Sequence, residues 1–151
     1  MNNIHFIHFY EEYKPYGHFS NFAACPIFLK GKLWPTTEHY YQAQKYAETD
    51  YEEVIRQAPS PMNSKELTRD PQHPPRADWD ALKDDVMREA LHAKFTQHAH
   101  LHALLLATGD AYLAEHTAND SYWGDGGDGS GQNRLGKLLI ELREQLRVQI
   151  V

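Results

Sequence analysis

Cysteine is nearly absent: Cys25 is the only one in 151 residues. No intrachain disulfide can form, and a reducing compartment is expected. Positive charge is in deficit as well. A formal charge of −6 argues against a protein that coats nucleic acid or anionic membrane non-specifically, and leaves open a local basic pocket for one phosphorylated ligand. No apolar stretch is long enough for a bilayer, and Met1-Asn2-Asn3-Ile4-His5 lacks the basic and apolar regions of a signal peptide. A cytoplasmic protein without a membrane partner is expected. Metal motifs are missing too. There are ten histidines but no HExxH or CxxC; His98 and His102 fall on one helix face with His100 pointing away. Asp125 and Asp128 lack the alternating ligands of a calcium loop. Neither a metal nor a cofactor is expected.

What is present is ordinary in bulk. Hydrophobic residues at 41% and charged residues at 24% fit one soluble domain, 1–151, with one core. Ile4 to Phe9 is a β-compatible run. Ile27-Phe28-Leu29 and Lys32-Leu33-Trp34 flank Lys30-Gly31 as a hairpin. Helices are expected from Thr36 to about Ala47, over Tyr51–Gln57, from Asp78 to about Thr96, over Ala99–Ala107 with Gly109 as terminator, and from Leu135 onward. The last carries a core stripe of Leu135, Leu138, Leu139, Leu142 and Leu146. Tyr112 to Glu115 reads as a short strand. Residues 58–78, with five prolines, read as a long loop holding one or two helical turns at Asn63–Arg69. No internal repeat is visible. The fold class is α+β, predominantly helical, with a small N-terminal sheet.

One stretch stands out chemically. Pro35 keeps Trp34 extended, and Thr36 is a good N-cap. Glu38, Tyr41, Gln42 and Lys45 then share one helical face, while Tyr40, Ala43 and Tyr46 pack elsewhere. Glu38 and Lys45 each suit the helix dipole at their own ends. Together with Gln42 and the nearby aromatics they also suit a site, since a carboxylate beside an amine can do acid–base work and a desolvated amine can attack a sugar C1. Trp79 is either the first core residue of its helix or an aromatic wall. Gly131 to Lys137 matches half of a P-loop, but Leu138 occupies the position where a Ser or Thr would hold magnesium. Five glycines between Gly124 and Gly131, running into a helix beside Arg134, still suit an anion.

Taken as a set, Phe9-Tyr10, Tyr16-Gly17-His18-Phe19-Ser20-Asn21-Phe22, Trp34 through Lys45, Arg76-Ala77-Asp78-Trp79, Tyr122-Trp123-Gly124-Asp125-Gly126 and Gly131-Gln132-Asn133-Arg134-Leu135-Gly136 resemble the NADAR family, and within it the bacterial YbiA-type N-glycosidases. The motifs run in order over nearly the whole chain. The resemblance implies a mostly helical α+β fold and hydrolysis of an N-glycosidic bond, without a metal. Its substrates are ribosylamino-pyrimidine phosphates of early riboflavin synthesis, or ADP-ribose on guanine in nucleic acid. It implies Glu38 as acid/base and Lys45 as a nucleophile forming a Schiff base; direct attack by water, with Lys45 as a counter-charge, is the competing mechanism. The resemblance further implies that Asp125 orients ribose hydroxyls, that Trp79, Trp123 and Phe22 stack on a base or sugar, that Ser20 and Asn21 bind polar edges, and that Arg134 with the loop N–H groups holds phosphate. Gln42, Gly124 and Asn133 complete the binding set. The rival from another class is a non-catalytic ADP-ribose or nucleotide-binding module.

Overall fold

Ile27-Phe28-Leu29 and Lys32-Leu33-Trp34, β-compatible runs on either side of a turn, build the first sheet of a computed structural model that describes residues 5–148. Strands β2 (Ile27–Leu29) and β3 (Lys32–Trp34) pair antiparallel, with Ile27 opposite Trp34 and Leu29 opposite Lys32. Both turn residues have positive φ, 56° at Lys30 and 73° at Gly31, the conformation a two-residue hairpin needs and glycine adopts without strain. Ile27 and Trp34 are fully buried, while Phe28 and Leu33 face outward.

The chain forms two compact units, residues 21–97 and a second made of the residues up to Ser20 with those from His98 onward. In the 21–97 unit, β2 and β3 are followed by α1 (Thr37–Ala43), α2 (Asp50–Arg56), α3 (Pro61–Leu67) and α4 (Trp79–Gln97). Its core joins Ile27, Trp34, Tyr40, Ala43, Tyr46, Ile55, Ala90 and Ala93. These include Tyr40 and Ala43 of α1 and Tyr46 just beyond it, the three residues that the periodicity turns away from the polar face. Trp34 anchors it: the indole N–H donates to the Leu29 carbonyl at 2.9 Å, and the ring meets Tyr40 edge-on at 5.0 Å. α1 stops sooner than expected. It tightens into a 3₁₀ turn over Gln44–Tyr46, where the Gln44 N–H is shared between the Tyr40 and Gln42 carbonyls. The proline-rich segment holds a two-turn helix, with Pro61 in its first turn and Ser60 accepting from the Asn63 N–H at 3.1 Å.

In the other unit, β1 (Phe6–Phe9) pairs parallel with β4 (Tyr112–Glu115); the expected start at Ile4 lies outside the described residues. α5 (Ala99–Ala107) and α6 (Arg134–Val148) complete it. The α6 leucine stripe is buried at all five positions. The histidine expectation needs correcting here. His98 is the N-cap of α5 rather than part of its face, and its ring meets that of His100 at 6.0 Å. Among the described residues no helix is long and apolar enough to cross a membrane.

Asn133 and Gly136 lock α6 onto β4. The Asn133 amide donates to the Leu113 carbonyl at 2.8 Å and the Tyr112 hydroxyl at 3.0 Å, and accepts from the Glu115 N–H at 3.0 Å. A Cβ at Gly136 would overlap the Leu113 carbonyl oxygen. Gly136→Ala is therefore expected to destabilise the protein by about 2–3 kcal/mol, read as a lower denaturant midpoint with an unchanged m-value.

Candidate active site

The polar face of α1 is built from its first turn. Thr36 is extended at φ −147° and its hydroxyl accepts the His39 N–H at 3.1 Å. The buried His39 ring bridges Thr36 Oγ1 at 2.8 Å and the Ala58 carbonyl at 3.0 Å. Because a carbonyl only accepts, Nε2 carries the proton, a tautomer assigned from the network. Burial lowers the His39 pKa against the opposing Ala58 bond, so the ring is a neutral fixture. Asn21 closes the turn from the other side: its carbonyl accepts the Glu38 N–H at 3.2 Å, and its side-chain oxygen accepts the Thr37 hydroxyl at 2.7 Å.

Glu38, only 7% exposed, is thus held in the first turn of a helix, where backbone N–H groups favour an anion. One turn on, Gln42 donates Nε2 to Glu38 Oε2 at 2.6 Å. Its Oε1 is buried without a partner among the described residues, an acceptor that lacks a donor.

Lys45 follows on the 3₁₀ turn, partly buried. Its Nζ lies 5.7 Å from the centre of the Tyr41 ring and 5.9 Å from that of Trp79, and the two rings meet at 5.1 Å and 63°. Trp79 is buried at 8% exposed, and its ring lies beside the amine. Nζ makes no hydrogen bond or ion pair among the described residues. Desolvation lowers the Lys45 pKa; the Glu38 charge opposes this, and the Lys65 and Lys83 charges assist it. A cleft of about 740 Å³ opens at Lys45, lined also by Tyr40, Arg76, Asp78 and Glu89. It does not reach Glu38, Gln42 or Trp79. Arg76 is engaged there, its guanidinium forking onto the Asp78 carboxylate at 2.6 and 3.1 Å.

The remaining expected residues are placed as follows. Phe22 is half-buried in the 21–97 unit. In the other unit, Ser20 is buried and its N–H donates to the Gly17 carbonyl at 3.0 Å. Trp123 and Arg134 are half-buried, and Gly124 is buried. Asp125 organises the glycine-rich loop: Oδ1 accepts the Thr117 and Gly127 N–H groups at 3.1 and 2.8 Å, and Oδ2 meets His116 Nδ1 at 2.8 Å. Burial raises its pKa, but these bonds outweigh that and hold it below the ordinary carboxylate value.

The free loop N–H groups expected for phosphate are largely spent. Those of Gly127, Ser130, Gly131 and Gln132 donate within the segment. The Asn133, Arg134 and Leu135 N–H groups, at the start of α6, donate to the Gly124, Tyr122 and Trp123 carbonyls. The physical reason is loop curvature. The glycines fold the chain back on its own carbonyls instead of splaying amides outward.

Two residues escaped the sequence reading. His39 sits between two residues that were singled out, and only its buried environment shows its role. Lys94 is fully buried in α4, and desolvation pushes it down to about 8, with Cys25 opposing. Its folded pKa is below the unfolded one, so the folded state binds fewer protons and stability rises with pH from about 8 to 10.5. Lys94→Met is expected to flatten that rise, read as melting temperature against pH.

The family model described as the NADAR domain matches residues 8–147. The chain is 58% identical over 143 residues to N-glycosidase YbiA of Escherichia coli strain K12, covering 95% of this chain and 89% of that protein. It is 42% identical to N-glycosidase Npun_R5314 of Nostoc punctiforme, covering 93% and 92%. It is 43% identical to the riboflavin biosynthesis protein VVA0006 of Vibrio vulnificus, covering 93% of this chain and 38% of that protein. The NMR structure of the E. coli protein YbiA superposes with a TM-score of 0.90 at 56% identity, covering 99% of this chain and 89% of that one.

Proposed function

The chain belongs to the NADAR family, and from that membership we propose that it is an N-glycosidase, hydrolysing the bond between a ribose C1 and the nitrogen of a base or amine. The observation that carries the mechanism is the Lys45 amine, desolvated between Tyr41 and Trp79 and two helical turns from a carboxylate that Gln42 fixes. Neutral Lys45 attacks C1, and the C1–N bond breaks with its electron pair going to the base. Glu38 in its acid form gives the leaving nitrogen its proton. One proton of the attacking nitrogen passes to the ring oxygen as the C1–O bond opens, leaving C1 joined to Lys45 as a protonated Schiff base. Water adds to C1, the carboxylate of Glu38 accepts its proton, and the ring hydroxyl recloses on C1, passing its proton to the amine as that departs. The sum is one water consumed, one base and one free sugar released.

Gln42 Oε1 is the acceptor placed for a donor that substrate brings, such as a ribose hydroxyl. Asn21 supports Glu38 through the backbone, and Trp79 is the stacking wall. The family match, running through both compact units, supports one catalytic domain.

For substrate we propose a ribosylamino-pyrimidine phosphate. Relatives named riboflavin biosynthesis proteins and a net charge of −6 favour a small molecule over polyanionic nucleic acid. The test is a side-by-side assay on that compound and on ADP-ribosylated guanine. Release of the pyrimidine at the faster rate supports the proposal; faster release of ADP-ribose moves the substrate to the nucleic-acid adduct; release from neither rejects the enzyme.

A further inference from the structure

Wholly within the unit that holds the glycine-rich loop, three side chains from three separate segments meet. β1 and β4 run parallel with His8 opposite Ala114. The ladder continues past β4, since the His116 N–H donates to the Phe9 carbonyl at 2.8 Å. His116, two residues beyond Ala114, therefore lies on the same side as His8. The rings stack at 4.6 Å with 12° between their planes. Asp125 reaches in from the loop to His116 Nδ1 at 2.8 Å. One ligand atom from each of the three lies within 4.8 Å of the others.

A hydrogen-bonded His–Asp pair explains His116 and Asp125 but not His8. The His8 ring makes no hydrogen bond among the described residues, yet is held face to face with an imidazole whose other nitrogen points away from Asp125. Asp125 is prepared as a ligand would be. Oδ1 is fixed by two backbone N–H groups, which aims Oδ2 at the cluster, the kind of outer support that orients metal-binding carboxylates. Zinc bonds of about 2.0–2.1 Å place ligand atoms roughly 3.4 Å apart in a tetrahedral site. The two histidines are exposed, so small rotations close that gap, and the open side leaves the fourth position to water. Two imidazoles and one carboxylate suit first-row divalent ions, not calcium or magnesium.

We propose that His8, His116 and Asp125 form a binding site for a divalent transition-metal cation of the zinc type, which ties β1 and β4 to the glycine-rich loop. The site draws on neither Glu38 nor Lys45 and adds no step to the N-glycosidase reaction; it shares Asp125 with the ribose-orienting role that the family resemblance implies.

The experiment is calorimetric titration of metal-free full-length protein with Zn²⁺, with thermal melts and amide spectra of Gly126 and Gly127. The expected result is one saturable equivalent, a higher melting temperature, and shifted loop amides. His8→Ala and His116→Ala should each weaken binding at least tenfold. His100→Ala, in the separate group where His100 meets His18 and His98, should change nothing. No saturable binding, or binding that survives both variants, or binding lost with His100→Ala, overturns the proposal.

Discussion

Glu38→Gln is expected to lower kcat by about 10²–10⁴-fold, the range a positioned general acid–base contributes, with KM changed by no more than a few-fold. The substitution is close to isosteric, and the elements that hold the residue do not depend on its charge. Thr36 and His39 fix the turn, and Asn21 accepts the backbone N–H of Glu38. The proton transfer is removed, and with the charge goes the effect that opposes the lowering of the Lys45 pKa. Steady-state kinetics with circular dichroism to verify the fold check this. A variant with wild-type turnover would assign the proton transfer to another group. The binding-module reading separates at the same point, since it expects Glu38→Gln to be silent and Arg134→Ala to abolish function.

Lys45 carries the larger effect and a sign. Its folded-state pKa is lowered chiefly by desolvation, so the neutral amine is available below the ordinary lysine value of 10.5. The pH profile of kcat/KM should rise as Lys45 deprotonates, with its midpoint below 10.5. Lys45→Ala should remove at least about three orders of magnitude of activity, as loss of a covalent catalyst does. Lys45→Arg distinguishes the mechanisms: it keeps the charge and loses the nucleophile, so the Schiff-base route predicts an inactive enzyme and the counter-charge route a partly active one. Stability moves the other way. A charge that folding desolvates is a cost to the folded state, and stability rises with pH as that amine loses its proton. Lys45→Met should therefore raise the melting temperature at pH 7 while abolishing turnover, the trade expected of a residue kept for chemistry.

The sequence made the local structure readable because short-range signals carry it. The Lys30-Gly31 turn, the Thr36 cap, the leucine stripe of α6 and the split of α1 into a core side and a polar side all depend on neighbours within two turns. What it could not show depends on contacts far along the chain. The parallel pairing of β1 with β4 has no local signature, and neither does the meeting of His8, His116 and Asp125 that follows from it. The glycine-rich loop is the instructive case. Glycines before a helix suggested outward N–H groups for phosphate, but whether an amide is free depends on which carbonyls the folded loop returns to, and here it returns to its own. Asn133 and Gly136 likewise look like parts of a ligand loop in sequence. In the fold they press α6 against β4, with the Asn133 side chain fully bonded to backbone and a tyrosine.

The central claim is that Lys45 bonds covalently to the sugar. Borohydride added during turnover of a ribosylamino-pyrimidine phosphate should reduce the Schiff base to a stable amine. Peptide mass spectrometry should then find the sugar phosphate on Lys45 and on no other lysine, with no adduct in Lys45→Ala. Full turnover with no trapped adduct, together with substantial activity in Lys45→Ala, would contradict the claim and leave Lys45 as a counter-charge to attack by water.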